Sequence, residues 1–238
     1  MESTAGSIIN HIRLADVQQD LVRNIVSIRS SQDLFDDLSN DPAHWVAAQH
    51  TEMQFKPPHY SNHSPVVNRP FEEAEWASAI QWPFNNWQKS RFSNGTFGVW
   101  YGASTLETTV HETVHHWYHG LLSAAGFENE TVVAERKLYN VACHAGLLDL
   151  RPLATRFSDL LHDTDYSAAQ ALGARLHREG HPGLISPSVR DPSGESFVVL
   201  TPAVLSKPRA ICYLTYRLER GHVVIEREPG QPLMEITP

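Results

Sequence analysis

Apolar residues at Leu106, Val110, Val114, Trp117 and Leu121 recur at steps of four, four, three and four, the spacing of one buried face of an α-helix. Just upstream, residues 97–101 are rich in aromatic and β-branched side chains and predict a buried strand. Ser104 and Glu107 stand between the two in S-x-x-E spacing, which predicts a capping box where the helix begins. Asn94-Gly95 predicts a turn ahead of the strand.

The same reading gives a short helix over 8–14, a first strand over 21–28 and a helix over 33–49 broken at Asp41-Pro42. Pro57, Pro58, Pro65 and Pro70 punctuate a long loop over 54–70, a length associated with function. A short helix over 72–80 precedes the packing aromatics Trp82, Phe84 and Trp87. Residues 131–143 read as a strand pair or one long strand with a polar interruption at 135–137, continued by 147–150. A helix over 166–178 ends at Gly180. Strands over 183–185 and 197–200 flank an Asp191-Pro192-Ser193-Gly194 turn, and a closing hairpin over 211–218 and 222–226 turns at Arg220-Gly221. Separated strands and helices without a regular βαβ series predict an α+β fold, with a mixed or split sheet and flanking helices. No linker composition divides the chain, so a short N-terminal segment, 1–20, and one domain, 21–238, are expected.

Composition narrows the function classes. A formal net charge of −8 argues against direct nucleic-acid binding, which needs a basic face. No apolar stretch approaches a membrane span, and the first twenty residues are too polar for a signal peptide; a cytoplasmic protein is expected. Cys143 and Cys212 both lie in apolar strand-like runs and read as buried thiols rather than a disulfide.

The polar face of the central helix carries the candidate chemistry. Glu112 projects opposite the Val110/Val114 stripe, flanked by His111, His115, His116 and His119. Taken singly, each reads as a solvated surface residue. His111-Glu112-Thr113-Val114-His115 fits H-E-x-x-H, the zinc-peptidase pattern, with Glu130 or Glu135 as the nearby third-ligand candidates. Those two lie in strand-like sequence rather than on the second helix such a site needs.

A second reading rests on resemblance. Arg91, Tyr101 and Glu112, at intervals of ten and eleven inside Arg-Phe-Ser-Asn-Gly-x-Phe-Gly-Val-Trp-Tyr-Gly-Ala-x-x-Leu-Glu-Thr-x-x-x-Glu-Thr, precede the downstream Gly-Leu-Ile-Ser-Pro-Ser-Val-Arg around Ser188. From about residue 21 to 218 the chain resembles the RES-domain family, named for its Arg, Glu and Ser. The resemblance implies an NAD-consuming toxin with a fold similar to ADP-ribosyltransferases, held inactive by a helix-turn-helix antitoxin. It implies a site made of Arg91, Tyr101, Glu112 and Ser188. Arg23 is added as a strand arginine facing the ligand, a place that Arg29 could fill instead; Arg190 and His116 are further pocket candidates. NAD is then a substrate, and its ADP-ribose passes to water, to phosphate or to a protein target. No G-x-G-x-x-G or P-loop is present, so NAD would not bind in the Rossmann manner.

Overall fold

The computed structural model describes residues 11–27 and 75–238. The expected helix over 33–49, Arg29 and the loop over 54–70 lie outside the described residues, as do the first parts of the expected helices over 8–14 and 72–80. The fold is α+β with a large mixed sheet. The chain packs as two compact units: 1–23, 71–109 and 140–209 form the first, and 24–70, 110–139 and 210–238 the second. Within the described residues each crossing falls inside a strand or a helix, not in a linker.

In the first unit the strand order is β1-β4-β7-β6-β5. Strand β1 (Arg13–Val26) begins well before residue 21 and takes in Arg13 and Leu14, which the sequence placed in a helix. Its first half is mostly exposed, with Val17 its buried apolar side chain, so no apolar run announces it. A π-helical turn (Ala77–Gln81) leads into α1 (Trp82–Asn85). The hairpin β2 (Lys89–Ser90) and β3 (Ser93–Asn94) follows, and then β4 (Trp100–Ala103). Strand pairing starts later than the expected residue 97, at Trp100, and Gly98 ahead of it abuts α1. A Cβ on Gly98 would lie 2.4 Å from the Pro83 carbonyl oxygen. Phe97 and Val99 are buried in the core of the first unit, so the apolar run reported burial rather than pairing. Trp100 is fully buried and its Nε1 donates to the Ala79 carbonyl at 2.8 Å.

Strand β5 (Val132–Asp149) is one long strand, and its second half lies beside β6 (Gly183–Pro187) in parallel, Leu148 opposite Leu184. Strand β7 (Glu195–Val199) pairs antiparallel with both β6 and β4, which puts Tyr101 opposite Val198 and Ala103 opposite Ser196. One helix covers this unit's core. Helix α4 (Ser167–Arg178) buries Ala169, Leu172, Gly173 and Leu176 against Phe92, Phe97, Leu148, Leu184 and Val198. Gly180, at φ +77°, ends it: the His181 N–H reaches back to the Leu176 carbonyl at 3.0 Å, a Schellman closure.

In the second unit β5, β8 (Leu205–Glu219), β9 (His222–Glu228) and β10 (Gln231–Ile236) are neighbours in that order. The tail of β1 pairs with β5, and the Ser27 N–H donates to the Glu135 carbonyl at 2.9 Å. Arg220 and Gly221 take φ +52° and +82°, the mirror-image turn that suits strand twist. Strand β10 is absent from the sequence reading because Pro232 interrupts its short run. The register shifts at that proline, as an edge strand tolerates.

Helix α2 (Leu106–His115) runs into a π-helical stretch (His116–Leu122) and then α3 (Ser123–Ala125), closed by Gly126 at φ +78°. A π turn holds more residues than an α turn, so it shifts the inward position by one. Leu122 is buried, whereas Leu121 is partly exposed.

The closest constraint in the first unit is at Gly173. A Cβ there would sit 1.9 Å from the Phe92 carbonyl oxygen and 2.9 Å from its carbon, backbone that cannot swing aside. Gly173→Ala is therefore expected to lower stability by about 1–3 kcal/mol, as overpacking does. A lower urea midpoint at unchanged slope is the readout.

Candidate functional site

The Lys89–Asn94 hairpin presents its two turn residues, Arg91 and Phe92, and the expected turn at Asn94-Gly95 follows it, with Gly95 at φ +94° and the Thr96 N–H donating to Asn94 Oδ1 at 3.1 Å. Phe92 is the buried anchor of that tip. Gln170 of α4 donates to the Ser90 carbonyl at 2.9 Å, so helix α4 holds the tip from both sides of Arg91. Arg91 Nη1 donates to the His162 carbonyl at 2.7 Å, and its guanidinium carbon lies 4.5 Å from the Tyr166 ring centroid.

Tyr101 is tied to the same hairpin. Its hydroxyl accepts from the Phe92 N–H at 3.1 Å and donates to Ser90 Oγ at 2.8 Å, while its ring packs on the first unit's core. Arg23 donates from Nη1 to the Tyr101 carbonyl at 2.7 Å and stacks 5.4 Å from the Trp100 ring. The structure thus brings Arg23, Arg91 and Tyr101 into one bonded neighbourhood.

Ser188 follows β6 in the loop toward β7. It is 8% exposed, and its Oγ accepts from the Arg190 N–H at 3.2 Å and the Asp191 N–H at 3.0 Å, an ST-turn. Asp191 is almost as buried. One of its oxygens accepts from Thr108 Oγ1 at 2.6 Å, the other from the Ser193 N–H and Oγ at 3.1 and 2.9 Å. Thr108 stands in the first turn of α2, and its own N–H donates to Thr105 Oγ1 at 3.2 Å. The helix cap is therefore Thr105 rather than the expected Ser104. Because Asp191 is 83 residues from Thr108, and Asp191-Pro192-Ser193-Gly194 reads simply as a turn, no sequence signal pointed to this tie.

Glu112 belongs to the second unit and is partly exposed. What fixes it is the residue beside it. Thr113 Oγ1 lies 2.9 Å from the Tyr216 hydroxyl and 3.2 Å from Asn24 Nδ2, and Asn24 also donates to that hydroxyl at 2.9 Å. Arg136 Nε donates to Asn24 Oδ1 at 3.1 Å, and Trp117 meets the Tyr216 ring edge-on. Burial lowers the Arg136 guanidinium and raises the Tyr216 hydroxyl from their ordinary values. This polar core fixes the helix rotation, and hence the direction in which Glu112 leaves it.

His115 and His119 have ring centroids 4.6 Å apart, and His115 and His116 5.7 Å. Among the described residues no group of three or more His, Cys, Asp or Glu is arranged to hold a metal ion. Glu135 lies on β5 and Glu130 in the loop before it, neither of them on a second helix. Also among the described residues, no helix is long and apolar enough to cross a membrane.

Cys143 and Cys212 are both free thiols. Burial pushes Cys143 up to about 11 from 9.0, and Cys212 is raised by the same cause. The raised Cys143 contributes stability that is fully present below pH 9 and lost as pH climbs through about 11. At pH 8, iodoacetamide is expected to label Cys212 slowly and Cys143 only on unfolding, as peptide mass mapping would show. Removing the Thr108 hydroxyl with Thr108→Val leaves the buried Asp191 oxygen short of a donor. We expect a loss of about 1–3 kcal/mol in urea unfolding.

A family model described as RES domain matches residues 66–219. No curated protein matches the chain. Among solved structures, the M. tuberculosis MbcT–MbcA toxin–antitoxin complex is similar with a TM-score of 0.46 and 14% identity, over 87% of this chain and 91% of that one.

Proposed function

The chain belongs to the RES-domain family, and on that premise we propose that it is a toxin that cleaves NAD at the bond between nicotinamide and ribose. The observation that carries the reading is the order of Arg91, Tyr101, Glu112 and Ser188 inside the matched segment. In the reaction the C1′–N bond breaks and its electron pair leaves with nicotinamide, which becomes neutral. An oxocarbenium-like cation forms on the ribose, and an acceptor oxygen closes on C1′ as its proton departs.

Glu112 is the carboxylate that stabilises that cation. Arg91 holds the diphosphate through paired donors. Tyr101 offers an aromatic face to the cationic nicotinamide ring, and Ser188 bonds the carboxamide or orients Glu112. Arg23 contributes to the ligand side of the same strand pair. Its bond to the Tyr101 carbonyl supports at least a part in holding Tyr101. The acceptor is water, phosphate or a protein side chain, giving a glycohydrolase, a phosphorylase or an ADP-ribosyltransferase respectively. A helix-turn-helix antitoxin is the partner that the family implies, and a cytoplasmic location goes with it.

NAD consumption by the purified chain, with and without inorganic phosphate, tests this. Glu112→Ala is expected to lower turnover by about 10²–10³-fold, the scale of losing one preorganised electrostatic group. A phosphate requirement would identify the acceptor. Persistence of NAD in every condition, including a broad protein-acceptor mixture, would overturn the reading.

A further inference from the structure

The loop between β6 and β7 is closed on itself around Ser188. The Ser188 N–H donates to the Gly194 carbonyl at 2.9 Å, and the Gly194 N–H to the Asp191 carbonyl at 2.9 Å. Ser188 Oγ in turn accepts from the Arg190 and Asp191 N–H groups at 3.2 and 3.0 Å. A hydroxyl oxygen has two acceptor positions and one proton. These two N–H groups take both acceptor positions, so toward any other partner Ser188 acts as a donor to an oxygen. The turn therefore sets the polarity of the side chain as well as its place.

The loop is anchored by a carboxylate outside the four family positions. Asp191 Oδ1 accepts from the Ser193 N–H and Oγ at 3.1 and 2.9 Å, within the loop. Its Oδ2 accepts from Thr108 Oγ1 at 2.6 Å, which ties the loop to the first turn of α2. That length suits a hydroxyl donating to a charged carboxylate. The bond uses the only proton of the Thr108 hydroxyl, so in its 2.8 Å contact with the Thr105 hydroxyl Thr105 is the donor. A chain of donors thus runs from Thr105 through Thr108 to Asp191. Thr108 is fully buried and Asp191 is 9% exposed, so water competes little for the bond. Gly194 makes room for it: a Cβ there would stand 2.3 Å from Thr108 Oγ1 and 2.4 Å from Asp191 Oδ2. All of these residues lie in the first unit.

We propose that Asp191 is a positioning residue for Ser188. Through Thr108 it seats the 188–194 loop on the start of α2, and through its own N–H it keeps Ser188 Oγ a donor, aimed at the carboxamide oxygen of nicotinamide. Closing the loop alone does not call for a buried charge, because the backbone bonds between Ser188 and Gly194 already close it. Burying a carboxylate is costly, and what this one adds is registration of the loop against a helix. The inference rests on the NAD reading above, in which Ser188 touches the ligand.

The test is ligand-observed NMR titration of the full chain with nicotinamide and, separately, with ADP-ribose, beside NAD cleavage by the wild type. Thr108→Val keeps the shape of the side chain and removes the donor. It is expected to weaken nicotinamide binding about five- to tenfold, the scale of one lost hydrogen bond, and to leave ADP-ribose binding within about twofold. Thr108→Ser, which keeps the hydroxyl, should bind both ligands like the wild type. Asp191→Asn, which keeps the size but turns an amide donor toward Thr108 or Ser193, should weaken nicotinamide as Thr108→Val does. A loss of stability alone changes the folded fraction and not the dissociation constants of folded molecules, whereas general loosening weakens both ligands together. Unchanged nicotinamide binding in Thr108→Val, equal weakening of both ligands, or a Thr108→Ser as weak as Thr108→Val would overturn the positioning role while NAD cleavage by the wild type stands. A wild type that neither cleaves NAD nor binds nicotinamide would overturn the NAD reading, and the positioning role with it.

Discussion

The first unit depends on how closely helix α4 approaches the backbone of Phe92. Only a glycine at position 173 permits it, and the approach seats the tip of the Lys89–Asn94 hairpin on the helix. From that tip the rest follows by short bonds. Ser90 and Phe92 grip the Tyr101 hydroxyl, Tyr101 lies on β4, and Arg23 reaches the carbonyl of the same residue. Arg91, between Ser90 and Phe92, meets the loop ahead of α4 at His162 and Tyr166. A two-residue turn is ordinarily a mobile support for a binding side chain. Here a buried phenylalanine, a side-chain amide and a close-packed helix restrict that mobility.

In the second unit, direction is set by a polar cluster instead of by close packing. Asn24, Thr113, Tyr216 and Arg136 bond one another within an otherwise apolar interior. Such a network is costly when incomplete, so it accepts few arrangements. It therefore specifies the rotation of the helix more sharply than Val110 and Val114 do alone. The π-helical stretch follows directly, and π turns commonly mark functional stretches of helix.

Much of this was legible in the sequence, and the rest was hidden for identifiable reasons. The helix bearing Glu112, helix α4 with its Gly180 stop, the β6–β7 pairing, the long β5 and the Arg220-Gly221 hairpin all carry local signals, either periodic apolar residues or turn chemistry. The errors fall where local signal and tertiary role diverge. Thr105 caps α2 in place of Ser104 because two adjacent hydroxyl residues offer the same chemistry one position apart. Phe97 and Val99 read as strand because burial in the first unit's core without strand pairing looks the same in the sequence as burial in a sheet. The first half of β1 and the proline-bearing β10 lack the alternation that marks a strand. Arg91 and Tyr101 were singled out through the resemblance. Their ties to Tyr166, Ser90 and Phe92, and the tie of Asp191 to Thr108, are contacts that no spacing announces.

The central claim is which bond in NAD is broken, and by what. Proton and phosphorus NMR of NAD incubated with the wild-type chain and with Glu112→Gln reads this directly. The account predicts free nicotinamide with the diphosphate of the ADP-ribosyl product intact, and almost none of either with Glu112→Gln. Cleavage at the diphosphate, or nicotinamide release that is unchanged in Glu112→Gln, would contradict it.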